Sequence, residues 1–455
     1  MRRLVLQSLS ELRGAYWFWP SVMTLAALAL GLAMPALDGW LGTEWMRDVS
    51  LLRPTQVDGA RAILTTLAGA ALGVAGVAFS ITMVAVSFAT ANYGPRLIGN
   101  FMSDRANQVV LGILVATFVY CVTVLAAVDG RIDAMTDGGE ALTSFVPQVS
   151  LMLALALMLA SVGALIFYIH HIPESIDIMK LAARIGRALR ARLEALVEEA
   201  ERAGHGDTSD DAGRTTGTGT QAVLRATESG YLRWIDHTVL ARVARDEGAR
   251  IRVLLPTGAF VVEGDALIGV RWAAGAPVDG PTDALDALAE AYALGSARSD
   301  EQDVLLLSDQ LVEVAVRALS PGVNDPHTAV LCLDWLRAGL QVLVRRPPLP
   351  EVASAEQGSV TWPGITFAML LDRCFDRMRS HIAADRTAAL HALDVLAALM
   401  AAAERESAAA RCASQMRLLG RAAADALADA PAREEVAAAL TRALATAPSE
   451  AAAAE

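Results

Sequence analysis

Between Arg61 and Arg96 the only ionisable side chain is the Tyr93 phenol, and the run is longer than the roughly 20 residues a helix needs to cross a bilayer. Stretches of the same texture cover about 21–37, 109–128 and 146–169. With the run at 62–91 they predict four transmembrane helices. After Ile169 the pattern changes: apolar positions at Ile176, Met179, Ala183, Leu189, Leu193 and Val197 recur near helical spacing among arginines and glutamates, predicting a connecting helix over 172–203. Residues 204–221 are rich in Gly, Thr and Asp and read as a mobile loop. Short apolar runs broken by turn residues then predict a small β-rich module over 222–275, with a helix at Asp236 to Glu247. From 276 to 455 the spacing predicts helices, with amphipathic ones at Leu305 to Ser320 and Pro326 to Val344. The fold class is a mixed membrane protein: a four-helix transmembrane domain followed by a cytoplasmic α+β domain, a small β-rich module plus a helical bundle.

Within the second span the small and weakly polar residues fall on one face. Counting alternately three and four residues picks out Thr66, Gly69, Gly73, Gly76, Ser80, Met83, Ser87 and Thr90. Such a seam either lets another helix approach closely or lines a wet path. Both uses want the same residues. None of the four spans carries a central Asp, Glu, Lys, Arg or His, so the marks of proton relays and coupled pumps are missing. That favours a passive path or a scaffold.

Arginine placement sets the orientation. The N-terminus with Arg2, Arg3 and Arg13, the loop after the second span, and the segment holding Lys180, Arg184, Arg187, Arg190 and Arg192 are basic; the loop from Asp129 to Phe145 is acid-rich. The positive-inside rule then puts both termini in the cytoplasm and the protein in the inner membrane as an uncleaved, multi-pass chain. The aromatic cluster Trp17-Phe18-Trp19-Pro20 suits a membrane interface.

Composition narrows the picture further. Hydrophobic residues make up 54% of 455 and mean hydropathy is +0.40, too apolar for an ordinary soluble enzyme and too polar for a chain wholly in lipid. Cys121, Cys332, Cys374 and Cys412 are scattered, with no CxxC, which argues against a zinc site or a disulfide framework. Lys180 is the sole lysine, so Schiff-base or Walker chemistry would have to use it. His170, His171, Glu174 and Asp177 are spaced as a conceivable metal cluster, but Pro173 and a headgroup-level position favour a wet helix junction. No metal, cofactor or nucleic-acid partner is expected.

Outside the spans the densest polar stretch runs from Arg317 through Ser320, Pro321, Gly322, Asn324 and Asp325 to His327. Ser-Pro-Gly should end one helix, Asp325 cap the next, and Pro326 take its first position. A second polar turn holds Arg298 and Asp303. A helix N-terminus beside Arg298 and Arg317 would suit a small anion; alternatively these arginines pair with Asp303 and Asp325 at a helical corner. Ser320 and His327 lack a third catalytic member, and no motif of catalytic spacing is present.

These stretches together make the chain resemble a bacterial family of predicted membrane proteins catalogued as domain of unknown function twenty-two fifty-four. The resemblance is carried by Trp17-Phe18-Trp19-Pro20, Val74-Ala75-Gly76-Val77-Ala78-Phe79-Ser80-Ile81-Thr82, Gly94-Pro95-Arg96-Leu97, Asn107-Gln108-Val109-Val110-Leu111-Gly112, Ser229-Gly230-Tyr231-Leu232 and Arg317-Ala318-Leu319-Ser320-Pro321-Gly322 with Asn324-Asp325-Pro326. It implies four spans and a cytoplasmic domain, and no reaction. A shorter stretch, Gly258 to Leu267, is similar to half of the barrel-sandwich fold of lipoyl and biotinyl carriers, although no lysine stands there to carry the group. The functional expectation is a homo-oligomer in the lipid bilayer whose second spans form a narrow path for ions or small solutes, gated by the cytoplasmic domain. The alternative is a membrane-anchored sensor or scaffold that binds an anionic ligand or a protein.

Overall fold

The computed structural model describes residues 16–41, 56–93, 104–129, 146–203, 221–272, 281–346, 351–354 and 360–445. The basic N-terminus, Gly94-Pro95, the acid-rich loop beyond Asp129, the Gly/Thr-rich loop and residues 446–455 lie outside them. The chain divides into two compact units, 1–177 and 178–455.

In the first unit four helices are long and apolar enough to cross a membrane: α1 (Phe18–Leu41), α2 (Val57–Tyr93), α3 (Arg105–Asp129) and α4 (Gln148–Ile176). At about 1.5 Å per residue α2 is about 54 Å long, well beyond the ~30 Å hydrocarbon core. Its inward face is a stripe of Ala60, Leu64, Ala68, Ala71, Ala75, Ala78, Thr82 and Ala89, all buried, which packs on α3 and α4. Alanine lets the helix axes close up, and α3 fills the space with Leu114, Tyr120 and Val124. Hydroxyls join helices inside the bundle: Thr82 Oγ1 and Tyr168 Oη lie 2.7 Å apart, and Thr117 and Ser161 2.9 Å apart.

Each end of this unit carries a polar clamp. Asp38, near the end of α1, is buried and accepts the Val149 and Ser150 backbone N–H groups at 2.8 and 2.9 Å and the Ser150 hydroxyl at 2.6 Å. A carboxylate on α1 thus caps α4, satisfying donors that a helix leaves open at its start. The helix runs four residues past the span of about 21–37 read from sequence, which carries Asp38 to this cap. At the other end Asp104 accepts from Ala106 N at 3.0 Å and meets His171 Nε2 at 2.7 Å, tying the start of α3 to α4. Helix α4 runs through Pro173 and stops at Asp177, four residues beyond the junction read from the proline.

The second unit opens with α5 (Ile178–Ala203), whose buried Leu181, Ile185, Leu189 and Leu193 form one stripe. It lies close on a later helix, α9 (Pro326–Val344). A Cβ added at Gly186 would come within 2.5 Å of the Trp335 ring, so the crossing needs a residue without one. The β part holds β1 (Gln221–Arg225), β2 (Gly230–Ile235), α6 (His237–Asp246), β3 (Arg250–Val253), β4 (Phe260–Val261), β5 (Ala266–Arg271), α7 (Thr282–Ala289) and β6 (Tyr292–Gly295). Asp236 caps α6 by accepting from Thr238 N and Val239 N, as its sequence position predicts.

The helical reading from 276 onward is incomplete. Besides α8 (Val304–Ala318), α9, α10 (Phe367–Ala383), α11 (Arg386–Ala401), α12 (Glu406–Ala426) and α13 (Ala430–Ala445), this region supplies β6, β7 (Glu351–Ser354) and β8 (Val360–Pro363). One sheet has the order β1-β5-β3-β8-β7, the other β4-β2-β6. Strand β8 runs parallel to β3, with Ile251 opposite Val360, and β6 pairs antiparallel with β2. The β module therefore takes strands from far along the chain.

Candidate functional site

On α2 the seam read from sequence lies on the outer surface of its own bundle. Thr66, Gly69, Gly73, Gly76, Ser80 and Ser87 are exposed, and Met83 and Thr90 half-buried. Thr66, Gly69, Gly73, Gly76, Ser80 and Ser87 each lie two residues from a member of the alanine stripe, about 200° around the helix at 3.6 residues per turn, whereas Met83 and Thr90 adjoin it at Thr82 and Ala89. The two small-residue stripes are on opposite faces. A Cβ added at Gly69, Gly73 or Gly76 would meet nothing within 4 Å. The hydroxyls of Thr66, Ser80 and Thr90 donate to the carbonyls of Ala62, Gly76 and Val86 at 2.7, 2.9 and 2.7 Å. Donating to their own helix leaves the oxygen lone pairs facing outward, while the proton is already satisfied. Within its own bundle α2 packs through the alanine stripe.

In the second unit the two polar turns are not one site. Arg298 precedes α8 and bonds to Asp303 and Asp309, whereas Arg317 lies in the last turn of that helix, about 12 Å beyond Asp309 by helix rise. The later turn is held by its own bonds. Ser320 Oγ donates to Arg317 O at 2.7 Å, Asp325 N to Ala318 O at 2.8 Å, and Asp325 caps α9 through Thr328 N at 3.1 Å. Asn324 adopts φ +50°, the left-handed region that asparagine tolerates. This turn is a helical corner in which Ser320, Asn324 and Asp325 shape the backbone.

Arg298 belongs to a different constellation. It grips Asp303 at 2.6 and 2.9 Å and Asp309 at 2.6 Å. Arg373 adds two bonds to Asp309 at 2.8 Å, and Arg377 one at 2.6 Å. The Asp309 side chain is 1% exposed and Arg377 47%, so the network runs from core to surface. Burial works to raise the Asp309 carboxyl, but the bonds and charges of Arg373, Arg298 and Arg377 outweigh it and hold it below its ordinary range. Burial works to lower the Arg298 guanidinium; its bonds and charges with Asp303 and Asp309 raise it instead. Both groups are charged at neutral pH. Asp303 also caps α8 through Leu306 N at 3.1 Å and lies under Gly258, where φ is +86° and a Cβ would stand 2.0 Å from a carboxylate oxygen. Gln302 pins the same turn to β2, accepting from Ile235 N at 2.9 Å and donating to Ile235 O at 3.0 Å.

Asp309, Arg373 and Arg377 were missed because they are 64 and 68 residues apart. Two local signals existed. Ser308-Asp309-Gln310 separates the apolar run Val304-Leu305-Leu306-Leu307 from Leu311-Val312, and Arg373 and Arg377 are four apart on one helix face.

Nothing else gathers into a reactive centre among the described residues. No three metal-binding side chains converge: His171 pairs with Asp104, whereas His170 stands 3.9 Å from Glu174. Burial pushes the Cys332, Cys374 and Cys412 thiols up to about 12, which keeps them protonated and inert at neutral pH.

Comparison with known proteins gives one family. A profile described as "Predicted membrane protein (DUF2254)" matches residues 13–398. The chain is 30% identical over 370 residues to the "Uncharacterized protein Rv1290c" of Mycobacterium tuberculosis, covering 80% of this chain and 67% of the relative. The same figures hold for the "Uncharacterized protein Mb1321c" of Mycobacterium bovis. No solved structure matches.

Proposed function

Since the chain belongs to the DUF2254 family of predicted membrane proteins, we propose that it is a homo-oligomeric channel whose copies meet along the α2 seam and enclose a narrow path for ions or small solutes. The inner (cytoplasmic) membrane is its site, with both termini in the cytoplasm, and the second unit gates the path. The observation that carries this reading is the outward face of α2. A stripe of glycine and hydroxyl residues that packs on nothing in its own bundle is the face by which membrane helices associate. Around a shared axis, outward lone pairs on Thr66, Ser80, Ser87 and Thr90 would contact water or a permeant cation. Gly69, Gly73 and Gly76 would set the narrowest section, and the uncharged wall would select by size and dewetting.

The test is conductance in a planar bilayer for wild type and Ser80→Phe at matched oligomeric state. Discrete currents that the substitution abolishes are the expected result. Currents unaffected by a phenyl ring at this position would sink the proposal.

A further inference from the structure

Arg105 opens α3 on the surface of the first unit, and from it a groove of about 470 Å³ runs between α3 and α4. Its other walls are apolar: Val109 and Ile113 on one side, Ala160, Ala164 and Phe167 on the other. On the α4 side the small Ala160 and Ala164 leave the groove open above Phe167. From Arg105 to Ile113 helix rise gives a length of about 12 Å, close to the ~15 Å of one leaflet's hydrocarbon. The Asp104–His171 contact at 2.7 Å and the stacking of Phe167 on His171 at 5.2 Å fix the mouth. Asp104 is thereby engaged with His171, and among the described residues no acid pairs with Arg105.

The geometry points to a binding site for one anionic glycerophospholipid, its phosphate on Arg105 and one acyl chain in the α3–α4 groove. In a bilayer the tail alone gains little, because lipid chains are as apolar as the groove. Selectivity must come from the guanidinium, which binds phosphate through paired N–H groups. The expected preference for an anionic over a zwitterionic lipid is about fivefold, the equivalent of about 1 kcal/mol for one arginine at a membrane surface. The site is separate from the α2 seam and does not depend on a pore.

The test uses the full chain purified from an equimolar mixture of phosphatidylglycerol and phosphatidylcholine, with retained lipid identified by native mass spectrometry. Wild type should retain the anionic lipid about fivefold over the other. Arg105→Gln should abolish the preference, and Ala160→Phe, at an exposed position that leaves the helix core intact, should displace both lipids. Equal retention on wild type, or an undiminished preference in both variants, would overturn the assignment. So would disulfide-linked copies of Ala160→Cys formed in the membrane, which would mean that a second copy occupies the groove.

Discussion

Asp309 is the residue on which the second unit's polar interior turns. Three guanidiniums and two carboxylates leave one positive charge in excess, and that charge reaches solvent through Arg377. Removing one partner of a buried ion pair costs about 3–5 kcal/mol, because the remaining charges are left without compensation. Asp309→Asn should therefore lower stability by roughly that amount, read as a drop in the chemical-denaturation midpoint of the full chain in detergent. The pH dependence has a definite sign. The folded carboxyl titrates below its unfolded value of about 3.9, so its contribution is complete above that value. It is lost as pH falls through it towards the folded value. Melting temperatures recorded from pH 6 to pH 3 should show an acid-side fall in wild type that is shallower in Asp309→Asn. Parallel curves would mean that Asp309 carries no such linkage.

At the scale of the element, α2 is a helix with two faces built for close approach. The inward alanines are filled against α3 and α4, so Ala75→Leu overpacks a closed seam and should destabilise the four-helix unit by about 1–3 kcal/mol. The outward glycines meet nothing. Gly73→Leu should leave the melting of the unit within about 0.5 kcal/mol of wild type while reducing the oligomer fraction seen by light scattering. The comparison separates fold from assembly. If Gly73→Leu melts like Ala75→Leu, the outer face packs within the chain after all; if it alters neither property, the seam is merely lipid-facing.

For the molecule as a whole, the second unit is one compact body. Strand β8 completes the sheet beside β3, and Arg373 and Arg377 on α10 neutralise Asp309 on α8. A fragment ending after α9 would expose the β3 edge, which invites aggregation, and bury Asp309 with only Arg298. Residues 178–455 should express as a soluble, cooperatively melting unit, whereas 178–346 should aggregate or melt without a transition. A fragment 178–346 that melts as sharply as the longer one would show that the later helices are an accessory to an independent module.

What the sequence determined by itself follows from short-range chemistry. Four apolar runs fixed four spans, since a backbone in lipid must satisfy its own hydrogen bonds and a helix does so locally. Asp236 and Asp325 marked helix starts because a cap acts within three residues. The spacing of Thr66, Gly73 and Ser80 likewise marked a small-residue face. Which small face of α2 turns inward was undetermined, because the alanine and glycine stripes satisfy the same spacing rule and only the side chains of α3 and α4 choose between them. The strands β6, β7 and β8 and the arginines around Asp309 were undetermined for a related reason. A four-residue strand has too little periodicity to read, and a salt-bridge network joining residues 298, 309, 373 and 377 exists only once distant segments have been brought together.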